Sequence, residues 1–246
     1  MFIGVDGCKA GWFAVSLSEG SGWTVEVFPN IAILWSQNTG ADLILIDVPI
    51  GLRNTDLNER RCDKEARALL ATKRKPSVFV SPCRAAVYAA TEEDAKQLNM
   101  EKTNRSLSQQ TLAIIPKIRQ VDQLLMSNMD ARLVIREVHP EVCFWAFNNG
   151  ESTIHKKTDK RGIAERKEIL NSVYPQAEEI FNSVCGKYLH KHVAEDDIVD
   201  AMVAAVTARE QKNGHRTIPE EPEFDEKGLP MGMVYSSLMT LNASQY

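Results

Sequence analysis

The sequence predicts an α/β fold built on a mixed sheet, and three observations carry that expectation. Short β-prone segments separated by glycine turns fill the first 50 residues. Residues from about 52 to 130 become helical. An apolar strand and an alanine-faced helix then follow in the last third of the chain. A single domain over 1–246, with a helical elaboration at about 52–130, is the expected organisation.

The elements follow in order. Met1 to Val5 is short, apolar and β-prone, and closes on Asp6-Gly7. Gly11 to Leu17 reads as a second strand, and Trp23 to Phe28 alternates as Trp-Thr-Val-Glu-Val-Phe. Gly7 and Gly11 permit one tight turn and Ser18 to Gly22 supplies the next, so a meander of three antiparallel strands is expected. A short helix at Ile31 to Gln37 crosses to a strand at Asp42 to Ile46, which lacks alternation, as a strand covered on both faces should.

Helices are then expected at Leu57 to Leu70, rich in arginine, and at Thr91 to Met100, opened by a Thr cap with acids in its first turn. Ser106 to Met126 carries Leu112, Ile115, Ile118, Val121 and Leu125 on one stripe, with Pro116 bending it. Arg132 to Val138 returns to strand. The basic segment from His155 to Arg166 leads into a helix through Asn171, and another follows at Gln176 to Val184. The last helix runs from near Asp196 to about Lys212, with Ala201, Ala204, Ala205 and Ala208 forming a small-residue face that can lie close on a sheet. The tail, with Pro219, Pro222 and Pro230, reads as loop, and Met233 to Tyr235 as an edge strand. Ser77 to Arg84 reads as a loop approaching a site.

Composition narrows the function classes. With 246 residues and 43% hydrophobic content, the chain has enough material for one sizeable core. A formal net charge of −4 argues against a broad, non-specific grip on nucleic acid, while leaving room for a local basic groove. Five cysteines, an odd number without a C-x-x-C, fit neither a disulfide framework nor a zinc ribbon and read as reduced thiols in a cytoplasmic protein. The N-terminus enters a strand directly, so no signal peptide is expected, and the longest apolar runs fall short of the ~20 residues that span a bilayer.

Acidic residues at strand ends carry the chemistry. A carboxylate closing an apolar run is costly to bury unless it is paired or binds metal. Asp6 closes the first strand, Asp47 closes Leu43-Ile44-Leu45-Ile46, and Asp197 and Asp200 stand three apart on one face of the last helix. Plainer roles stand beside these: Asp6-Gly7 as a hairpin turn, Asp47 as a loop cap, Asp196 or Asp197 as a helix cap. Asp200, a turn further in, is not explained by capping. Glu137 ends another apolar strand and Glu141 follows in His139-Pro140-Glu141, so either is a candidate further ligand or base. His139 is a candidate to orient a water, or a satisfied histidine at a strand end. Basic residues at Arg60-Arg61, Arg67, Lys73-Arg74-Lys75 and Lys156-Lys157 read as a solvated face or, beside a metal, as phosphate contacts.

Several motifs together resemble the predicted RNase H-like nucleases grouped as domain of unknown function 429. They are Gly4-Val5-Asp6-Gly7-Cys8-Lys9-Ala10-Gly11-Trp12, Ile46-Asp47-Val48-Pro49-Ile50-Gly51-Leu52, and Arg61-Cys62-Asp63 through Ala66-Arg67. Ser77-Val-Phe79 through Pro82 and Arg84, Glu137-Val138-His139-Pro140-Glu141, and Asp196-Asp197-Ile198-Val199-Asp200-Ala201 complete the set. The resemblance implies an RNase H-like core: a mixed five-stranded sheet with flanking helices, and a C-terminal helix across the site. In junction resolvases of that fold, metal ligands come from the first strand, the fourth strand and a pair three apart on the last helix. Asp6, Asp47, Asp197 and Asp200 match those roles in order, whereas those resolvases lack the Glu137 to Glu141 motif.

The expected function is therefore a Mg²⁺- or Mn²⁺-dependent nuclease, two cations about 4 Å apart bridging a scissile phosphate. Asp6, Asp47, Asp197 and Asp200 are the expected ligands, Glu137 and Glu141 assist, and Lys9, Arg61, Arg67, Arg84, His139 and Lys157 are candidate contacts to nucleic acid. Two alternatives stand: a phosphotransferase or ATPase of the actin and sugar-kinase type, and a binding module that kept the fold without catalysis.

Overall fold

The computed structural model describes residues 1–54, 58–210 and 214–236. Among them seven strands form one mixed sheet in the order β3-β2-β1-β4-β5-β7-β6. The strands are β1 (Phe2–Cys8), β2 (Gly11–Leu17), β3 (Trp23–Phe28), β4 (Leu43–Ile46), β5 (Ile135–Val138), β6 (His215–Phe224) and β7 (Pro230–Ser236). β1, β2 and β3 form the expected antiparallel meander; β4, β5 and β7 run parallel to β1 in sequence across the sheet; and β6 returns antiparallel on β7.

Helices cover both faces. On one, α1 (Ile31–Gln37), α5 (Gln109–Ser127) and α6 (Met129–Val134) pack against Ile3, Val5, Ile44, Ile46 and Ile135. On the other, α7 (Pro140–Phe147), α8 (Lys160–Val173), α9 (Ala177–Lys187) and α10 (Glu195–Arg209) pack against Phe2, Cys8, Leu43, Leu45 and Val138. The two-residue period of each strand makes that division, and burial on both faces accounts for the unbroken apolar run of β4. The remaining helices are α2 (Arg61–Leu69), α3 (Arg84–Val87) and α4 (Glu92–Thr103), preceded in part by a 3₁₀ turn at Lys75–Ser77.

Local chemistry sets the boundaries. Asn30, Thr91 and Ser108 accept hydrogen bonds from Ile33, Asp94 and Thr111 backbone N–H groups, opening α1, α4 and α5. The α5 stripe of Leu112, Ile115, Ile118, Val121 and Leu125 is buried throughout, and Pro116 lies within the helix. Ala201, Ala204, Ala205 and Ala208 are buried on α10, as their small size predicts. A Cβ on Gly4 would collide with Ala201 O and Ala205 N, so glycine there allows α10 to lie directly on β1.

The sheet departs from the expected five strands. The proline-rich tail is not loop: β6 carries Pro219 and Pro222 on the sheet's edge, where a missing N–H costs no ladder bond. β7 is consequently an inner strand rather than an edge. Arg132 to Val134 is helical, leaving β5 to begin at Ile135. The helix α7, with Pro140 at its first turn, was not expected from the sequence. The expected start of the arginine-rich helix at Leu57 and the expected end of the last helix at Lys212 lie outside the described residues. No helix among the described residues is long and apolar enough to cross a membrane.

Candidate functional site

Sheet register brings the first two carboxylates together. The parallel ladder of β1 and β4 ends at Val5 opposite Ile46, and the Asp47 N–H donates to the Val5 carbonyl at 3.1 Å. Asp6 and Asp47 are the next residue on each chain, so both lie at the same end of the sheet and turn to its α10 face. Asp6 does not end its strand, as the sequence suggests; β1 continues to Cys8 and Asp6 pairs opposite Phe13. The Gly4 contact presses α10 onto β1, and Asp197 and Asp200 project from its first two turns toward the same end. All four residues line one cavity of about 480 Å³.

The electrostatics follow from that crowding. Burial, then Asp47 and Asp200, push the Asp6 carboxyl well above its usual range. Burial raises Asp47 to about 6, with His139 opposing and Asp200 adding to the rise. Asp197 is also pushed up to about 6 by burial, against the hydrogen bond it accepts from the Ala194 N–H. Asp200 is raised by burial and partly offset by Lys157, whose Nζ donates to its Oδ2 at 2.6 Å. The other oxygen, Oδ1, is buried with no hydrogen-bond partner among the described residues.

An oxygen-only donor set, like charges held together, and an orphaned carboxylate oxygen are what a hard divalent cation would neutralise. Asp6, Asp47 and Asp200 are the residues that could hold it by closing in on it, since they share the cavity without three of their ligand oxygens standing within 4.8 Å of one another. Asp197 is at the margin because one of its oxygens caps the helix.

Glu137 and Glu141 line the same cavity with their charges already matched. Glu137 registers with Ile46 across the sheet and so turns to the opposite face from Asp47. There Arg60 Nη1 donates to Glu137 Oε2 at 2.8 Å and Arg60 Nε to Asp63 Oδ2 at 3.1 Å, while the Ile50 N–H donates to Glu137 Oε2 at 2.7 Å. Cys62, Asp63 and Glu137 bring ligand atoms within 4.8 Å of one another, but the Arg60 guanidinium is already the counter-cation there. Glu141 accepts from buried Arg166 and from Thr153 Oγ1.

The expected nucleic-acid contacts divide sharply. His139 and Lys157 line the cavity. Lys9 is exposed and outside it, Arg61 pairs with Glu65 in solvent, and Arg67 binds Glu59 and the Val78 carbonyl. Arg84 is buried between Asp122 and Asp225, 2.8 and 2.7 Å away, and ties α3 to α5 and the β6–β7 turn. The structure places these four outside the cavity lining, each cation satisfied or solvated there. Arg74 and Phe79 line the cavity from the segment before α3. The sequence offers Arg74 within a basic cluster and Phe79 within the Ser77–Arg84 loop, without singling out either as a site residue.

Residues 4–224 match the model of a family described as a protein of unknown function, DUF429. No curated protein and no solved structure matches the chain.

Proposed function

We propose that this chain, which belongs to the DUF429 family, is a Mg²⁺- or Mn²⁺-dependent phosphodiesterase acting on nucleic acid, with an RNase H-like core. The observation that carries the reading is the convergence of Asp6, Asp47 and Asp200, from two parallel strands and the last helix, on one cavity. The topology supports the core: an antiparallel β1–β3 meander, β4 and β5 parallel to β1, and α10 lying across β1 beside the acids. The two added strands, β6 and β7, extend that arrangement at one edge.

A bound divalent cation supplies Lewis-acid polarisation of a phosphoryl oxygen and a water acidified toward neutral pH. The chain's own contribution is to hold and orient. Asp6 and Asp47 are fixed by the β1–β4 register, and Asp200 by the packing of α10 on Gly4. Lys157, next to Asp200, supplies a positive charge for a phosphate oxygen. His139 is anchored through Nε2 to the Ser77 carbonyl at 3.3 Å, and its Nδ1 has no hydrogen-bond partner among the described residues.

The test is a nuclease assay with Mn²⁺ on single- and double-stranded DNA and RNA, run beside Asp6→Asn purified identically. Cleavage lost in the variant supports the reading; equal trace activity in both attributes it to contamination. Stabilisation by ATP and Mg²⁺ that nucleic acid does not reproduce would favour phosphotransfer instead.

A further inference from the structure

The cavity is lined by more than the carboxylates. Residues within 73–79 line it, with Arg74, Ser77 and Phe79 among them, and Lys156 and Lys157 line it from the segment before α8. Arg74 is only 9% exposed, yet its Nε has no hydrogen-bond partner among the described residues; its Nη1 reaches the His155 carbonyl at 3.3 Å. His139 Nδ1 is likewise buried and unpartnered. Arg74, His139 and Asp200 all line this one cavity, and each has a buried polar atom without a hydrogen-bond partner among the described residues. Buried polar atoms are normally satisfied, so the three together point to a polar ligand there. A guanidinium matches phosphate oxygens. Phe79 is half-buried and belongs to none of the hydrophobic clusters of the core, which leaves an aromatic face at the cavity wall.

Size decides what form the ligand takes. About 480 Å³ falls within the roughly 300–1,000 Å³ of pockets that enclose one small molecule. Duplex recognition instead spreads over about 600–2,500 Å² of strongly positive surface, and this chain carries a net charge of −4.

We infer that the cavity takes a single nucleotide at the end of a nucleic-acid strand, its phosphate held by Arg74 and its base against Phe79. The inference rests on the phosphodiesterase reading and specifies its substrate. Hydrolysis then consumes one water: a P–O bond forms to the water oxygen, the P–O bond to the rest of the strand breaks, and the proton passes to the leaving oxygen. The product is a mononucleotide and a shortened strand.

Two measurements test this on the full-length protein with Mn²⁺. The first is calorimetric binding of AMP, ribose 5-phosphate and adenosine to wild type, Arg74→Lys and Phe79→Ala, each checked for an unchanged circular-dichroism spectrum. AMP should bind most tightly. Arg74→Lys should weaken AMP and ribose 5-phosphate alike, and Phe79→Ala should weaken AMP about ten-fold, in line with base stacking on an aromatic ring, leaving ribose 5-phosphate unchanged. No AMP binding, or AMP affinity untouched by both substitutions, overturns the inference. The second is digestion of one single-stranded DNA sequence in linear and covalently closed circular form. A degraded linear strand beside an intact circle supports it. Equal cutting of both overturns the inference and leaves the phosphodiesterase reading standing. AMP bound through Arg74 and Phe79 with neither DNA form cut removes the nuclease reading and overturns the strand-end assignment with it, leaving a cavity for a free nucleotide.

Discussion

The Lys157 ammonium lies 2.6 Å from Asp200 Oδ2, so one carboxylate of the cavity already has a cation supplied by the chain. The pair straddles the protein boundary, with the lysine side chain 41% exposed and the aspartate 1%. Removing the lysine leaves a buried, uncompensated carboxylate, but solvent on the lysine side moderates the loss to about 1–2 kcal/mol. Lys157→Ala should therefore melt roughly 2–8 °C lower without metal. Mn²⁺ should raise the midpoint of this variant more than that of wild type. An unchanged midpoint would show that the ion pair contributes nothing to the fold.

The acids give stability a pH dependence of known sign. Asp47 and Asp197 are both raised to about 6, against about 3.9 in an unfolded chain. The folded state then binds more protons across that interval, so the stability these groups contribute is present below about pH 4 and lost as pH rises through about 6. A divalent cation needs the ionised form, so its affinity rises over the same window. Metal-free melts and Mn²⁺ titrations at pH 5, 6 and 7 should slope in opposite directions, and Asp47→Asn should flatten both. Mn²⁺ affinity that stays constant from pH 5 to 7 contradicts the assignment.

Asp6 is the acid most crowded by its neighbours, with Asp47 and Asp200 both acting on it. Asp6→Asn should therefore stabilise the metal-free protein at pH 7, by on the order of 1 kcal/mol, by removing a buried charge from beside like charges. The same variant should lose at least about ten-fold in Mn²⁺ affinity, roughly 1.4 kcal/mol. Differential scanning calorimetry and titration calorimetry on one preparation read both effects. A variant that is less stable and still binds Mn²⁺ normally would make Asp6 a structural residue only.

Arg60 is the counter-case. It is 2% exposed and is shared by Asp63 and Glu137, so it holds α2 to the sheet by charge that has no access to water. Arg60→Ala leaves two buried carboxylates without a counter-cation, each keeping a backbone N–H donor, and should cost about 3–5 kcal/mol, roughly 6–20 °C in midpoint. Mn²⁺ should not rescue it. Rescue by Mn²⁺ would move the metal site to Cys62, Asp63 and Glu137.

Much of this architecture was legible because local signals agreed with the fold. β2, β3 and α1 begin and end where alternation, glycine turns and the Asn30 cap predict. The cavity acids were legible for a different reason: a carboxylate after Leu43 to Ile46, or on the alanine face of α10, conflicts with its apolar neighbours. β6 was hidden because Pro219 and Pro222 argue against a strand unless its edge position is known. The division between Glu137 and Asp47 was hidden because it depends on cross-strand register, which places them on opposite faces. Arg74 and Arg84 look alike in sequence. Only the fold shows that Arg84 is held by Asp122 and Asp225 away from the cavity, while Arg74 lines it.

Anomalous scattering from crystals soaked in Mn²⁺ at neutral pH tests the assignment most directly. The expected result is a manganese peak coordinated by Asp6 together with Asp47 or Asp200. No peak in that cavity at saturating Mn²⁺, or one confined to Cys62, Asp63 and Glu137, would contradict it.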